Sequence, residues 1–156
     1  MQTTKGGTMS QRRLQPGDTF EIDIEMRWAD SDMMQHLNNA KYFQYMEQAR
    51  VMLMDQSGVR DFPDLGFVVA HCSCDFKKAI TYPATVKMRL ITDRVGRTSF
   101  DHRVEMSVQG DPPGQFRATG RAVMVLVNRH TGQSTPWPDG VLERLGSVTQ
   151  PAVADS

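Results

Sequence analysis

The chain has 156 residues, and its 18 Lys plus Arg balance its 18 Asp plus Glu, so the formal net charge at pH 7 is zero. This length favours one domain with a sizeable core, and the balanced charge argues against a sequence-independent nucleic-acid binder, which needs a basic excess. No apolar run is long enough to span a bilayer. Residues 1–17 are polar and lack the apolar block of a signal peptide, so we expect a flexible N-terminal tail on a cytoplasmic protein.

The first two predicted elements differ in their apolar period. Apolar residues at every second position predict a half-buried strand from Phe20 to Trp28. Apolar residues at three- and four-residue steps from Ala40 to Leu53 predict a helix of about five turns. A polar segment with two acids, a histidine and two asparagines joins them. Such a junction can aim a carboxylate at a pocket whose far wall is the positive end of a helix.

The remainder of the chain is predicted to be mostly strands. Residues 55–65 indicate a loop or a frayed helix end, and residues 139–145 a short helix. A single long helix must bury its stripe against other elements, and strands and helices do not alternate as a doubly wound sheet requires. We therefore predict an α+β fold, with an antiparallel sheet of about five strands around one long helix. The domain is expected to cover residues 18–146, followed by a flexible tail at 147–156. The four later strands are predicted at residues 67–80, 85–93, 99–108 and 116–127.

Two cysteines, Cys72 and Cys74, lie two apart in a predicted strand. Their side chains would share a face of the sheet, but so local a bridge fits disulfide geometry poorly. We therefore expect free thiols. No pair of histidines and acids has a convincing metal-ligand spacing, so we predict no metal.

The polar junction resembles a known family motif. The hot-dog-fold acyl-CoA thioesterases of the 4-hydroxybenzoyl-CoA thioesterase type carry aspartate, two variable residues, glycine, histidine, an aliphatic residue, Asn-Asn, two variable residues and tyrosine. The matching segment here is Asp32-Met33-Met34-Gln35-His36-Leu37-Asn38-Asn39-Ala40-Lys41-Tyr42. The helix continues as Tyr45-Met46-Glu47-Gln48-Ala49-Arg50, similar to the family's aromatic-x-Glu-x-Ala-Arg. Weaker likenesses follow at Gly96-Arg97-Thr98-Ser99 and Asn128-Arg129-His130-Thr131-Gly132, so the resemblance covers roughly Phe20 to Asp139.

This resemblance implies a hot-dog fold and hydrolysis of an acyl-CoA to a free acid and CoA, without a cofactor. It implies that Asp32 is the catalytic nucleophile or general base, and that the backbone N–H of Asn39 polarises the thioester oxygen. His36 would orient water or the carboxylate, or stabilise the loop. Position in the first helical turn independently suits Asn39 to this task, while asparagine side chains at such a site usually cap the helix. A homodimer, or a tetramer of two dimers, is also implied.

Gln35 departs from the family pattern, which has glycine there. With Gln before His, the segment is similar to plant acyl-ACP thioesterases, which have Asp-x-Asn-Gln-His, but Met34 stands where those enzymes use the asparagine. An acyl-ACP or other carrier-bound thioester is therefore the alternative substrate, and a non-catalytic acyl-CoA-binding domain is a third hypothesis. Retention of Asp32, His36 and both asparagines favours catalysis.

Several charged residues outside the motif have simpler interpretations. Asp30 is expected to bond loop N–H groups, and Glu47 and Arg50 to form ion pairs within the helix or at an interface. A second branch of hot-dog thioesterases places its acid on the helix, so Glu47 is the runner-up carboxylate. Any of five basic residues are candidates for the CoA phosphates: Lys77, Lys78, Arg94, Arg97 and Arg129.

Overall fold

The computed structural model describes residues 12–152, which form five strands and two α-helices. Short 3-10 turns precede and follow the long helix, at Trp28–Asp30 and Val59–Asp61. The order of one strand, one helix and four strands confirms the prediction. The elements are β1 (Thr19–Glu25), α1 (Asn39–Ser57), β2 (Leu65–Phe76), β3 (Thr85–Val95), β4 (Ser99–Val108), β5 (Ala118–Asn128) and α2 (Val141–Ser147).

The five strands form one antiparallel sheet in the order β1-β3-β4-β5-β2. One face of α1 is buried, and its central residues Met46, Ala49 and Leu53 belong to the same core as Phe100, Val104 and other inward residues of the sheet. The predicted α+β class, with a sheet around one long helix, is confirmed. Two strands, β1 and β2, form the edges of the sheet.

Gly120 allows α1 to approach the sheet closely. A Cβ atom at this position of β5 would lie 2.5 Å from the carbonyl oxygen of Ser73 and 2.9 Å from Cε of Met46. Any larger side chain would therefore collide with β2 and with the helix. The absence of a side chain at Gly120 therefore allows α1 to pack closely against the sheet.

The ends of several elements differ from their predicted positions. Trp28 lies in a 3-10 turn with 71% of its surface exposed, because β1 ends at Glu25. The alternating pattern continues past that end, but backbone pairing with β3 stops at Glu25 opposite Thr85. Likewise β2 ends at Phe76 rather than at residue 80.

The packed domain extends beyond the predicted residues 18–146 at both ends. Leu14 is buried and donates its N–H to the carbonyl of Leu142 at 2.9 Å. Thr149 is buried, and Gln150 exchanges two backbone hydrogen bonds with Thr19. Residues 12–17 and 147–152, predicted as tail, thus contact the domain and each other. The other residues of the predicted tails, 1–11 and 153–156, lie outside the described part.

The two cysteines are free, as predicted, and both are partly buried against the core. Among the helices formed by residues 12–152, none combines the length and apolar character needed to cross a membrane.

Candidate active site

The loop between β1 and α1 holds the Asp32 carboxylate by one oxygen. Oδ1 accepts hydrogen bonds from the backbone N–H groups of Met34 at 2.8 Å and His36 at 3.1 Å. The Asp32 N–H donates in turn to the carbonyl of His36 at 2.8 Å. Such Asx turns are a frequent use of aspartate in loops. The second oxygen, Oδ2, has no hydrogen-bond donor among residues 12–152 and the carboxylate is exposed to solvent.

Gln35 adopts the backbone conformation that glycine usually provides, with φ of +61°. Its carbonyl accepts the N–H of Tyr82 at 2.9 Å, and the next residues are held in the same way, since Leu37 donates to the carbonyl of Ile80 at 2.7 Å. These bonds tie the loop to the segment before β3. Gln35 therefore takes up the left-handed backbone at the position where the resembled motif has glycine.

The N-terminus of α1 lies directly after this loop. Asn38 is the N-cap, and its side-chain oxygen accepts the N–H of Ala40 at 3.0 Å, which confirms the capping prediction for this residue. Asn39 is the first helical residue, as expected, and its side chain is exposed. No acceptor within residues 12–152 takes its backbone N–H. The helix therefore presents one unpaired donor beside Asp32.

A cavity of about 240 Å³ brings the three predicted site residues together. Its far wall is aromatic, because the rings of Tyr42 and Phe76 meet edge to face with centroids 4.9 Å apart. Phe76 is not among the residues predicted for the site, because its strand spacing from Cys74 and Cys72 is that of an ordinary core residue. The lining consists of Asp32, His36, Leu37, Asn39, Tyr42, Phe76, Lys77, Lys78 and Ala79.

Two of the five basic candidates lie at this cavity. Lys77 and Lys78 follow the end of β2 and are exposed, and both form part of its wall. Arg94 and Arg97 lie at the other end of β3, and Arg129 follows β5 beside the start of β2. Strands of this length separate the two ends of the sheet by roughly 30 Å. Of the five candidates, the two lysines are the ones near Asp32 within one chain.

Asp30 anchors the loop to α1 instead of entering the cavity. The carboxylate is buried, and it accepts the hydroxyl of Tyr45 at 2.6 Å and a guanidinium N–H of Arg27 at 3.1 Å. Burial alone would raise the pKa of Asp30, but the bonds from Arg27 and Tyr45 outweigh it and hold the pKa at about 2. The Arg27 backbone N–H also donates to it at 3.3 Å, so the predicted bonding of loop N–H groups is confirmed.

The intrahelical form of the expected Glu47–Arg50 ion pair is absent. No ion pair joins these residues in the described structure, because Arg50 is buried under the sheet while Glu47 points to solvent. Neither residue lines the Asp32 cavity; both line a second cavity of about 320 Å³. Two histidines on strands differ in their surroundings: His71 on β2 is exposed, whereas His102 on β4 is buried.

No three His, Cys, Asp or Glu side chains between residues 12 and 152 cluster closely enough to hold a metal ion. The absence of a metal or cofactor stays a prediction.

Comparison with known proteins supplies independent information. The model of the thioesterase-like superfamily matches residues 26–145. The PA2801 protein of Pseudomonas aeruginosa, a proposed thioesterase, is 32% identical, with a TM-score of 0.72 over 78% of this chain and 94% of that one. A 1,4-dihydroxy-2-naphthoyl-CoA thioesterase from Synechocystis shares the fold at 16% identity, with a TM-score of 0.70 over 81% of this chain and 95% of that one. The YsmA protein of Bacillus subtilis, uncharacterised, is 27% identical over 81% of this chain and 85% of its own length.

Proposed function

The chain belongs to the thioesterase-like superfamily and has the hot-dog fold, which supports thioester hydrolysis in general, and we propose that its substrate is an acyl-CoA. The products would be a free acid and CoA. One observation carries the proposal: the Asp32 carboxylate and the unpaired N–H of Asn39 line the same cavity.

The N-terminus of α1 would stabilise charge on the substrate. Attack on the thioester carbonyl carbon moves negative charge onto its oxygen, and the Asn39 N–H can donate to that oxygen. The partial positive charge of the helix end adds to the effect. Donors that are oriented before the reaction stabilise the transition state without reorganisation.

Asp32 would supply the attack in one of two ways. As a nucleophile, it bonds to the carbonyl carbon, the C–S bond breaks, CoA thiolate leaves and takes a proton, and water hydrolyses the anhydride. As a general base, it removes a proton from the water that attacks the carbonyl carbon, the C–S bond breaks, and the CoA thiolate leaves and takes that proton. In both, Oδ1 stays bonded to the loop N–H groups and Oδ2 faces the substrate. The role of His36 is to position this carboxylate through its backbone N–H.

Lys77 and Lys78 would bind CoA at the mouth of the cavity. Lysine ammonium groups bind phosphate as strongly hydrated point charges. Both lysines are exposed and border the cavity that contains Asp32. This placement favours a phosphorylated leaving group over a small neutral thiol.

A homodimer would complete the site. β2 is an edge strand, its exposed residues include Val68 and Val69, and its last residue Phe76 forms part of the cavity wall. An uncovered apolar edge strand favours pairing with a second strand. A partner strand on β2 would lie next to the cavity and shelter the acyl group.

The test is release of free CoA thiol from a panel of short, long and aromatic acyl-CoAs, with the unmodified chain and Asp32→Asn. We expect turnover that is lost in a variant that still folds and still binds CoA. Equal activity in both would remove Asp32 from the chemistry. Turnover of acyl-carrier-protein thioesters alone would favour the carrier-bound alternative, and tight acyl-CoA binding without any turnover would favour the non-catalytic one.

A further inference from the structure

The second cavity lies between α1 and the first half of β2 and has a volume of about 320 Å³. Its walls are largely apolar, with contributions from Val51, Met54, Leu65, Phe67 and Met124. Counting about 30 Å³ for each non-hydrogen atom, as for water in the liquid, it has room for roughly ten such atoms. It is therefore the size of a small organic molecule.

Arg50 gives this apolar cavity a buried positive charge. Only 7% of the residue's surface is exposed, and Nη1 is fully buried without a hydrogen-bond partner. No ion pair or hydrogen bond to its side chain is present among residues 12–152. A guanidinium cannot lose its proton in a protein. A buried and unpaired charge is costly, so the site favours an anion.

The acids near the cavity do not neutralise Arg50. Glu47 lines the cavity but its carboxylate is exposed and lies beyond ion-pair distance. Asp101, on β4, pairs instead with Arg121 at 2.7 Å. The positive charge of Arg50 is therefore available to a ligand.

His102 adds a second unused polar group beside Arg50. It is 1% exposed, and neither ring nitrogen has a partner. Burial and the charge of Arg50 lower the pKa of His102 to about 4, so its ring is neutral at pH 7. The neutral ring carries no positive charge, so Arg50 is the cation that an anion would meet. One of the two ring nitrogens of His102 carries a hydrogen that it can donate.

We propose that this cavity binds a carboxylate on a short apolar chain, with Arg50 holding the carboxylate and the apolar wall holding the chain. The ligand is either a free acid or the distal carboxylate of an acyl group. Eleven residues of α1, or about 16 Å, separate Arg50 from Asn39. This cavity is therefore distinct from the Asp32 cavity of the same chain.

The first experiment measures binding to the Asp32→Asn chain, which removes the proposed catalysis and so tests the site by itself. Octanoate is titrated by calorimetry, with octanol as a probe of equal length and no charge. We expect octanoate to bind at least about tenfold more tightly than octanol, as a charged hydrogen bond implies. Equal affinity for the two probes would overturn the proposal. So would the absence of octanoate binding at an octanoate concentration of about 10 mM.

Substitutions then assign the charge. Arg50→Met keeps the length of the side chain and should weaken octanoate about tenfold or more while leaving octanol unchanged, and Arg50→Lys should restore part of the loss. Arg60→Met, at an exposed lining residue, is the matched control and should have little effect. Unaltered octanoate binding in a folded Arg50→Met chain would refute the assignment. Binding that appears only in Glu47→Gln would also refute it, because Glu47 would then occupy Arg50 in solution.

The second experiment separates the two sources of the carboxylate and rests on the proposed function. Hydrolysis of dodecanedioyl-CoA and dodecanoyl-CoA, whose acyl chains are long enough to extend from the Asp32 cavity towards Arg50, is compared in the unmodified chain and Arg50→Met. A rise in KM for dodecanedioyl-CoA alone would identify the distal carboxylate of an acyl group. If Arg50→Met leaves the KM of both substrates unchanged, and octanoate bound in the first experiment, the ligand is a free acid. Failure of all turnover would contradict the proposed function and leave the binding result standing.

Discussion

Gln35 is a non-glycine residue with left-handed backbone, and its φ of +61° sets the direction of the loop between β1 and α1. L-residues pay roughly 1–2 kcal/mol for this conformation. The two backbone hydrogen bonds to Tyr82 and Ile80 compensate by fixing the loop on either side. The geometry at Asp32 thus depends on main-chain bonding to residues 80–82 and not on a glycine.

Gln35→Gly should raise the free energy of unfolding by up to about 1 kcal/mol. Relief of the left-handed strain exceeds the added conformational freedom of glycine in the unfolded chain, which costs about 0.4–1 kcal/mol. Urea unfolding monitored by circular dichroism measures the change. Thioesterase turnover should stay close to that of the unmodified chain, and a destabilised variant would contradict the strain.

Asn39→Pro should lower kcat by about 10²–10³ with little loss of stability. Proline at the first helical position removes only the unpaired N–H. Asn38 already has the extended backbone (φ −63°, ψ 137°) that precedes proline. Steady-state release of CoA thiol provides the measurement.

Asn39→Ala is the matched control for this experiment, since it removes the side chain and keeps the N–H. It should remain active if the backbone alone contacts the thioester oxygen. Equal losses in the two variants would assign the effect to the side chain instead.

At the scale of elements, Asp30 joins the loop to α1 through Tyr45 and to its own turn through Arg27. This buried contact holds the loop at a constant position relative to the helix N-terminus. The separation of Asp32 from Asn39 is therefore set by packing between two elements. The loop between β1 and α1 and the start of the helix are therefore held together.

Asp30→Asn should lower the free energy of unfolding by about 2 kcal/mol at pH 7, because the pKa of Asp30 is depressed from 3.8 to about 2 on folding. A depressed pKa stabilises the fold above the unfolded-state value. The difference between the chains should therefore be full above about pH 4 and disappear as the pH falls through 2. Unfolding curves across this range provide the measurement, and a difference that persists at pH 2 would contradict the ionic origin.

At the scale of the whole molecule, β2 is the strand whose outer edge and apolar residues remain uncovered in one chain. The proposed dimer would cover this edge and bring a second chain beside the Asp32 cavity. Oligomeric state and activity should then change together.

Val68→Lys should shift the chain towards monomer and reduce turnover. A charge on each of two paired edge strands opposes their association. Sedimentation velocity gives the oligomeric state, and Gln109→Lys, in the exposed turn after β4, controls for the added charge. A dimer that survives Val68→Lys unchanged would place the interface elsewhere.

Some of this molecule is encoded in short stretches of sequence. Alternation in β1 and the three- and four-residue steps in α1 predicted both elements, because side-chain period follows from the backbone geometry of consecutive residues. The resemblance of the loop to a family motif predicted Asp32, His36 and Asn39 as site residues, and their closeness within eight residues brings them to one cavity. The end of β1 was misplaced because pairing with β3, not alternation, decides where it stops.

Only tertiary structure decided the rest. Phe76, Lys77 and Lys78 reach the Asp32 cavity through the register of β2 on β5, and residues 12–17 meet 147–152 across the full length of the chain. Arg50 does not pair with its helical neighbour Glu47, because its side chain is buried in the core beside His102, on a strand some fifty residues away. Such contacts depend on the free energy of packing segments that are remote in sequence, and no local period records which segments will meet.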